Sequence, residues 1–240
     1  YNFSGQYSKA LQIMGHKRFH PWEGGEGQVL RQYSYACIKL GEKEMKNGNA
    51  KKALKYFEKA ENTPENLGEK YHPLQAKAHI NYWKGMASKA QKKVKEAEKY
   101  FTLSTSEQGD FIEMAVSEHS EMTYYRALSL RELGMEEKAH QLLKELKAYG
   151  HKKLKEKVKI DYFATSLPLL LVFEEDLQKR NEWENKCLIA LAEKGLGNGN
   201  KAQKLAGKVL QINSMHAVAK DLLSDKYSKY KREQKMDVGY

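Results

Sequence analysis

The sequence predicts an all-α chain, built as a right-handed α-solenoid of stacked helix-turn-helix repeats with long inter-repeat linkers. Three observations predict it. Apolar residues recur at helical spacing along most of the chain. Pairs of these amphipathic stretches are joined by short turns such as Asn47-Gly48-Asn49 and Gly197-Asn198-Gly199-Asn200. One internal offset also recurs: a small residue is followed twelve residues later by alanine, then by further small or apolar residues four and seven positions on. It reads Gly41, Ala53, Phe57, Ala60, then Gly85, Ala97, Phe101, Ser104, then Ala127, Ala139, Leu143, Leu146, and last Ala190, Ala202, Ala206, Val209. Small residues where two helices cross let the backbones approach, and a larger side chain fills the space beside them. One such pair cannot bury its apolar face alone, so neighbouring pairs must stack on it.

Taken in order, Tyr7, Ala10, Leu11 and Met14 lie on one face of a first helix, which stops between Gly15 and Pro21. The loop Arg18-Phe19-His20-Pro21-Trp22-Glu23-Gly24-Gly25-Glu26-Gly27 follows, and its glycines are incompatible with a helix interior. Val29, Leu30, Tyr33, Cys37 and Leu40 form the stripe of the next helix, which runs into the first repeat at Ser34–Leu67. Residues 1–33 therefore form an N-terminal helix, the glycine-rich loop and a helix start. Three repeats occupy 34–153. A degenerate helix pair, ended or kinked at Pro168, is expected in 154–182. A final repeat and a closing helix around Ala217, Leu222, Leu223 and Tyr227 fill 183–230, and 231–240 is a polar tail.

The order Leu40-Gly41, Ala53, Phe57, Ala60, Pro64 resembles the tetratricopeptide repeat. The other three units match it more weakly. The aromatic residue expected early in each first helix is missing. The units start 44, 42 and 63 residues apart, against 34 for ordinary repeats, which implies long linkers. A second resemblance rests on RFHPWEGGEG (Arg18–Gly27), PENLGE (Pro64–Glu69) and DYFATSLP (Asp161–Pro168). These look like the C-terminal repeat region of an uncharacterised bacterial family, in which a β-sandwich similar to galactose mutarotase precedes the repeats. That resemblance implies a helical part of a larger carbohydrate-related protein, or a relative lacking the sandwich.

Lysine and arginine number 42 against 31 acidic residues, a net charge of +11. Much of the excess is lysine on helical faces, interleaved with glutamate, which reads first as a solvated surface. An acidic partner is the functional alternative. Nucleic acid is a weaker one, because the cations do not collect on one stripe with arginines and aromatics. Cys37 and Cys187 lie in apolar helical patterns and read as small core residues, neither a disulfide nor a metal pair. The apolar run Leu167–Phe173 is too short to span a bilayer, and no signal-peptide pattern is visible. The reading favours a soluble, cytoplasmic protein over an exported one, and Tyr1 in place of an initiating methionine predicts a processed or truncated piece.

The sequence predicts no catalytic residue, no metal and no cofactor. Glu23 and Glu26 are a carboxylate pair on a loop without a strand framework. His16 and His20 have the spacing of metal ligands, but Gly15 and Pro21 bracket them and no third ligand is evident. The glycine-rich loop lacks the Gly-Lys-Ser/Thr ending of a phosphate-binding loop. Binding residues are expected in two places. First helices of stacked pairs line a concave face, where matching positions give the rows Ile38, Tyr82, Tyr124, Cys187 and Met45, Lys89, Arg131, Lys194. Of these, Tyr82, Lys89, Tyr124, Arg131 and Lys194 are the expected contacts for an acidic protein or peptide. Glu42, Met86 and Trp83 stand where a clamp for a terminal carboxylate would need amides, so that activity is not expected. The second place is the loop, where Trp22 offers an apolar plate, Glu23 and Glu26 acceptors, and Arg18 and His20 donors, a set suited to a sugar ring or a neighbouring β-sandwich domain.

Overall fold

The computed structural model describes residues 1–20, 27–106, 109–112, 115–158 and 176–224. Most of them are helical. The helices are α1 (Tyr7–His16), α2 (Gln28–Lys46), α3 (Ala50–Glu61), α4 (Ala78–Ala90), α5 (Val94–Ser106), α6 (Glu121–Glu132), α7 (Glu136–Lys153), α8 (Leu177–Gly195) and α9 (Gly199–Ile212). Helical backbone resumes over 217–224, with Ala219 and Leu222 buried. The chain divides into two compact units, Tyr1–Ala139 and the described residues from His140 onward.

In the first unit α2 packs on α3 and α4 on α5. The small residues explain both crossings. A methyl group on Gly41 would collide with the Phe57 ring, and one on Gly85 would come within 2.5 Å of Phe101. Ala53 and Ala97 are buried beside them. Ser104 stands where the first pair has Ala60. Its hydroxyl donates to the Ala78 carbonyl at 3.1 Å and accepts from Ser129 at 2.8 Å, so the substituted position ties α5 to α4 and α6. The core of this half collects Met14, Tyr33, Cys37, Ile38, Phe57, Leu67 and Ile80.

All four helix-to-helix turns close in the same way. The residue seven positions after the first small residue has a positive φ: Gly48 (77°), Lys92 (61°), Gly134 (74°) and Gly197 (86°). The next amide donates to the carbonyl five residues back, from Asn49 to Glu44, Lys93 to Ser88, Met135 to Leu130 and Asn198 to Glu193, at 2.8 to 3.0 Å. This is the six-to-one closure of a helix C-terminus, which satisfies carbonyls that the last turn leaves unbonded.

The linkers between the pairs of the first unit are long and carry structure of their own. Between α3 and α4 a 3₁₀ turn, Glu65–Leu67, buries Leu67 against the core. Between α5 and α6 an antiparallel hairpin pairs β1 (Asp110–Ile112) with β2 (Ala115–Ser117). The all-α reading missed this hairpin. Its anchor is the buried Asp110 carboxylate, which accepts from the Ala76 amide at 2.9 Å and the Ser120 hydroxyl at 2.8 Å. Ser120 in turn caps α6 in a reciprocal box with Thr123. The degenerate helix pair and Pro168 were expected in a stretch of which residues 159–175 lie outside the described residues, as do Tyr227 and the polar tail.

In the second unit α8 packs on α9, and Asp176 caps α8 by accepting from the Lys179 amide at 3.0 Å. Ala190, Ala202, Ala206 and Val209 are buried between the two helices as their spacing predicts. Gly195 lies against Leu143 of α7, and Gly150 of α7 lies against Ile189 of α8.

Candidate interaction surfaces

The first-helix face of the first unit is built from α4 and α6, which pack against each other. Tyr82 and Tyr124 occupy matching positions, three residues before Gly85 and Ala127. Tyr82 is half-buried in an aromatic cluster, its ring centroid 5.3 Å from Trp83, 5.9 Å from Tyr125 and 6.2 Å from Phe101. Tyr124 is buried, 5.5 Å from Tyr125. Burial, then the Glu132 carboxylate, push the Tyr82 hydroxyl well above the usual phenol range. His79 sits 5.9 Å from Tyr125 and 3.5 Å from the Ser34 hydroxyl, and burial pulls its imidazole down to about 4. These side chains form a neutral aromatic wall.

The cations of this face differ from the row that the spacing suggests, because each has a carboxylate. Lys89 Nζ lies 2.5 Å from Glu132 Oε2 and Arg131 Nε lies 2.8 Å from Glu136 Oε1. The glutamates follow from sequence neighbours that the row ignored: Glu132 is the last residue of α6 and Glu136 the first of α7. Exposed pairs of this kind contribute about 0–1 kcal/mol, so they set charge balance more than stability. Lys194, the matching residue of the second unit, is half-buried near the end of α8.

The described residues on either side of 21–26 are held by the second motif, Pro64–Glu69. The Asn66 amide donates to the carbonyls of Met14 and Lys17, each at 2.6 Å, and so closes the end of α1. The Phe19 amide donates to the Asn66 carbonyl at 2.9 Å. The Glu69 carboxylate accepts from the Gly27 amide at 2.6 Å and the Leu30 amide at 3.0 Å, which supplies an acceptor at the amino end of α2, where backbone donors are otherwise unmet. Motifs some 40 residues apart in sequence thus meet in one place. Arg18 and His20 are exposed, and Trp22, Glu23 and Glu26 lie outside the described residues. His16 ends α1 and His20 lies beyond it, so their spacing does not put them on one helix face.

A third surface was not singled out from sequence. In the second unit His140, Lys144, Lys147, Ala148 and His151 follow one face of α7, and with Leu196 and Asn198 of the α8–α9 turn they line an open cleft of about 460 Å³. Two of these residues are held by Glu193, which is buried and accepts from Lys147 Nζ at 2.8 Å and from the Asn198 side-chain amide at 2.6 Å. Burial pushes the Glu193 carboxyl up, but those two bonds outweigh it and hold the group ionised. The i, i+4, i+7, i+11 spacing was visible in the sequence but lost among many lysines.

Cys37, Tyr33 and Tyr71 of the first unit are held in their neutral forms. Burial pushes the Cys37 thiol up to about 12, against a bond from Tyr33, and drives Tyr33 and Tyr71 to about 12 as well. Cys37 and Cys187 are both buried and form no disulfide. No helix among the described residues is long and apolar enough to cross a membrane. No protein-family model matches the chain, and no solved structure matches it.

Proposed function

We propose that this chain is a non-enzymatic helical-repeat scaffold, a right-handed solenoid of tetratricopeptide-like pairs that binds a protein or peptide on the face made by its first helices. The observation that carries this reading is the repetition itself: four turns close with one hydrogen-bond pattern, at one offset from a small crossing residue. Repetition of that kind puts the same helix face forward several times, and such faces serve as extended binding surfaces. The neutral forms of Cys37, Tyr33, Tyr71 and His79 suit packing within the helix pairs. Tyr82, Tyr124, Lys89, Arg131 and, in the second unit, Lys194 are the contacts in this proposal. Affinity capture with the intact protein, repeated with Lys89→Glu/Arg131→Glu and with Lys152→Glu/Lys153→Glu, tests it. The first pair of changes should weaken capture far more than the second. Equal losses mean that charge acts diffusely and that this face is not the site.

The double anchoring of the loop by Asn66 and Glu69 favours one second reading. In it the loop is a presented element that completes the site of a carbohydrate-active neighbour, such as an adjacent β-sandwich domain. Glu23→Gln/Glu26→Gln should then leave the melting temperature nearly unchanged and reduce binding or the neighbour's activity. A lowered melting temperature with unchanged binding makes the loop a structural latch.

A further inference from the structure

The cleft on α7 differs from the first-helix face in one respect that matters for recognition. Lys89 and Arg131 are each paired with a glutamate, whereas the side chains of His140, Lys144 and His151 are exposed and have no hydrogen bond or ion pair among the described residues. Among the described residues, the lining side chains that are engaged are Lys147 and Asn198, and both bond to the buried Glu193, which fixes that wall of the cleft. The surroundings reinforce the sign. From His140 to Lys157 the chain carries six lysines against two glutamates, and α9 adds three lysines and no acid. Of the whole chain's excess charge of +11, +7 lies in the described residues of this unit, with 14 basic against 7 acidic residues.

We propose that this cleft is a docking site for a short acidic peptide segment with one apolar side chain. The stripe from His140 to His151 is about 16 Å long at the rise of an α-helix, which is the reach of about five residues of extended chain. Lys144 and the two imidazoles supply donors along that length. Ala148 and Leu196 supply an apolar patch between them, which an acidic peptide can use for one side chain and a bare phosphate backbone cannot. Nucleic acid is disfavoured on the same ground: the lining holds no arginine and no ring on which a base could stack besides the histidines. The site lies on other residues than the first-helix face, and it rests on the reading of the chain as an interaction module.

The test is fluorescence anisotropy of the full chain with a labelled Asp-Glu-Leu-Asp-Glu peptide. His140→Glu/Lys144→Glu/His151→Glu should weaken binding at least tenfold, and Lys144→Gln alone should weaken it about threefold with helical circular dichroism unchanged. Lys89→Glu/Arg131→Glu should leave it within twofold, and replacing the peptide leucine by glycine should weaken it severalfold. The proposal is overturned if the wild-type chain does not bind the peptide, if the cleft variants bind as the wild type does, or if a single-stranded oligonucleotide of equal charge binds the cleft more tightly. Loss confined to Lys89→Glu/Arg131→Glu overturns the cleft while leaving the first-helix face standing.

Discussion

Lys92 holds a left-handed backbone at φ 61° where the three sister turns carry glycine. A side chain there costs about 1–2 kcal/mol against glycine. Lys92→Gly should therefore raise stability by about 1 kcal/mol, read as a higher urea midpoint with an unchanged slope. A lower midpoint would show that the lysine side chain contributes more than its backbone strain costs. His79 makes a pH-dependent contribution of a definite sign. Its imidazole titrates at about 4 in the folded chain and near 6.5 when unfolded. Between those values the unfolded chain takes up a proton that the folded chain refuses, so this contribution is complete above about pH 6.5 and is lost as pH falls toward 4. His79→Gln should flatten the fall in melting temperature between pH 7 and pH 5 relative to the wild type. Parallel curves for the two proteins would exclude His79 as the cause.

At the scale of elements, the helix crossings and the hairpin make opposite demands. Ala97 is buried where α5 meets α4, so Ala97→Leu should overpack that crossing and cost about 1–3 kcal/mol, measured by thermal melting. Asp110→Ala should cost about 1–3 kcal/mol for a different reason, since it leaves the Ala76 amide and the Ser120 hydroxyl without their buried acceptor. A loss well under 1 kcal/mol would show that water replaces the carboxylate. The crossings were legible in the sequence, because Gly41, Ala53 and Phe57 must stand at fixed spacing for two helices to touch, and that spacing repeats. The hairpin was not. Three-residue strands carry too little alternation to be seen, and the group that fixes them is a single aspartate whose partners lie 34 and 10 residues away. The matching positions of Tyr82 and Tyr124 were legible from register, and the pairing of Lys89 and Arg131 was not, because the partnering glutamates sit outside those positions. The α7 stripe had the right spacing but no contrast with the lysines around it.

At the scale of the molecule, two kinds of contact hold the first unit together, and they differ in the length of chain they close. The turns at Gly48, Lys92 and Gly134 join residues five apart, and the Gly41–Phe57 and Gly85–Phe101 contacts join residues sixteen apart. The bonds of Glu69 to Gly27 and of Asn66 to Met14 span 42 and 52 residues. Short loops close first because they cost less chain entropy. The order of assembly follows: each helix pair forms on its own, and the Asn66–Glu69 segment then fastens the first helix and the start of the second onto them. Glu69→Gln should accordingly speed unfolding and leave the refolding rate nearly unchanged, a φ-value near zero, while Ala97→Leu should slow refolding. Stopped-flow traces of both variants decide it, and a slowed refolding limb for Glu69→Gln would place the clamp in the folding nucleus. The Asn66–Glu69 segment then acts as a late fastener, setting how long the N-terminal helix and the start of the second stay docked once the repeats have formed.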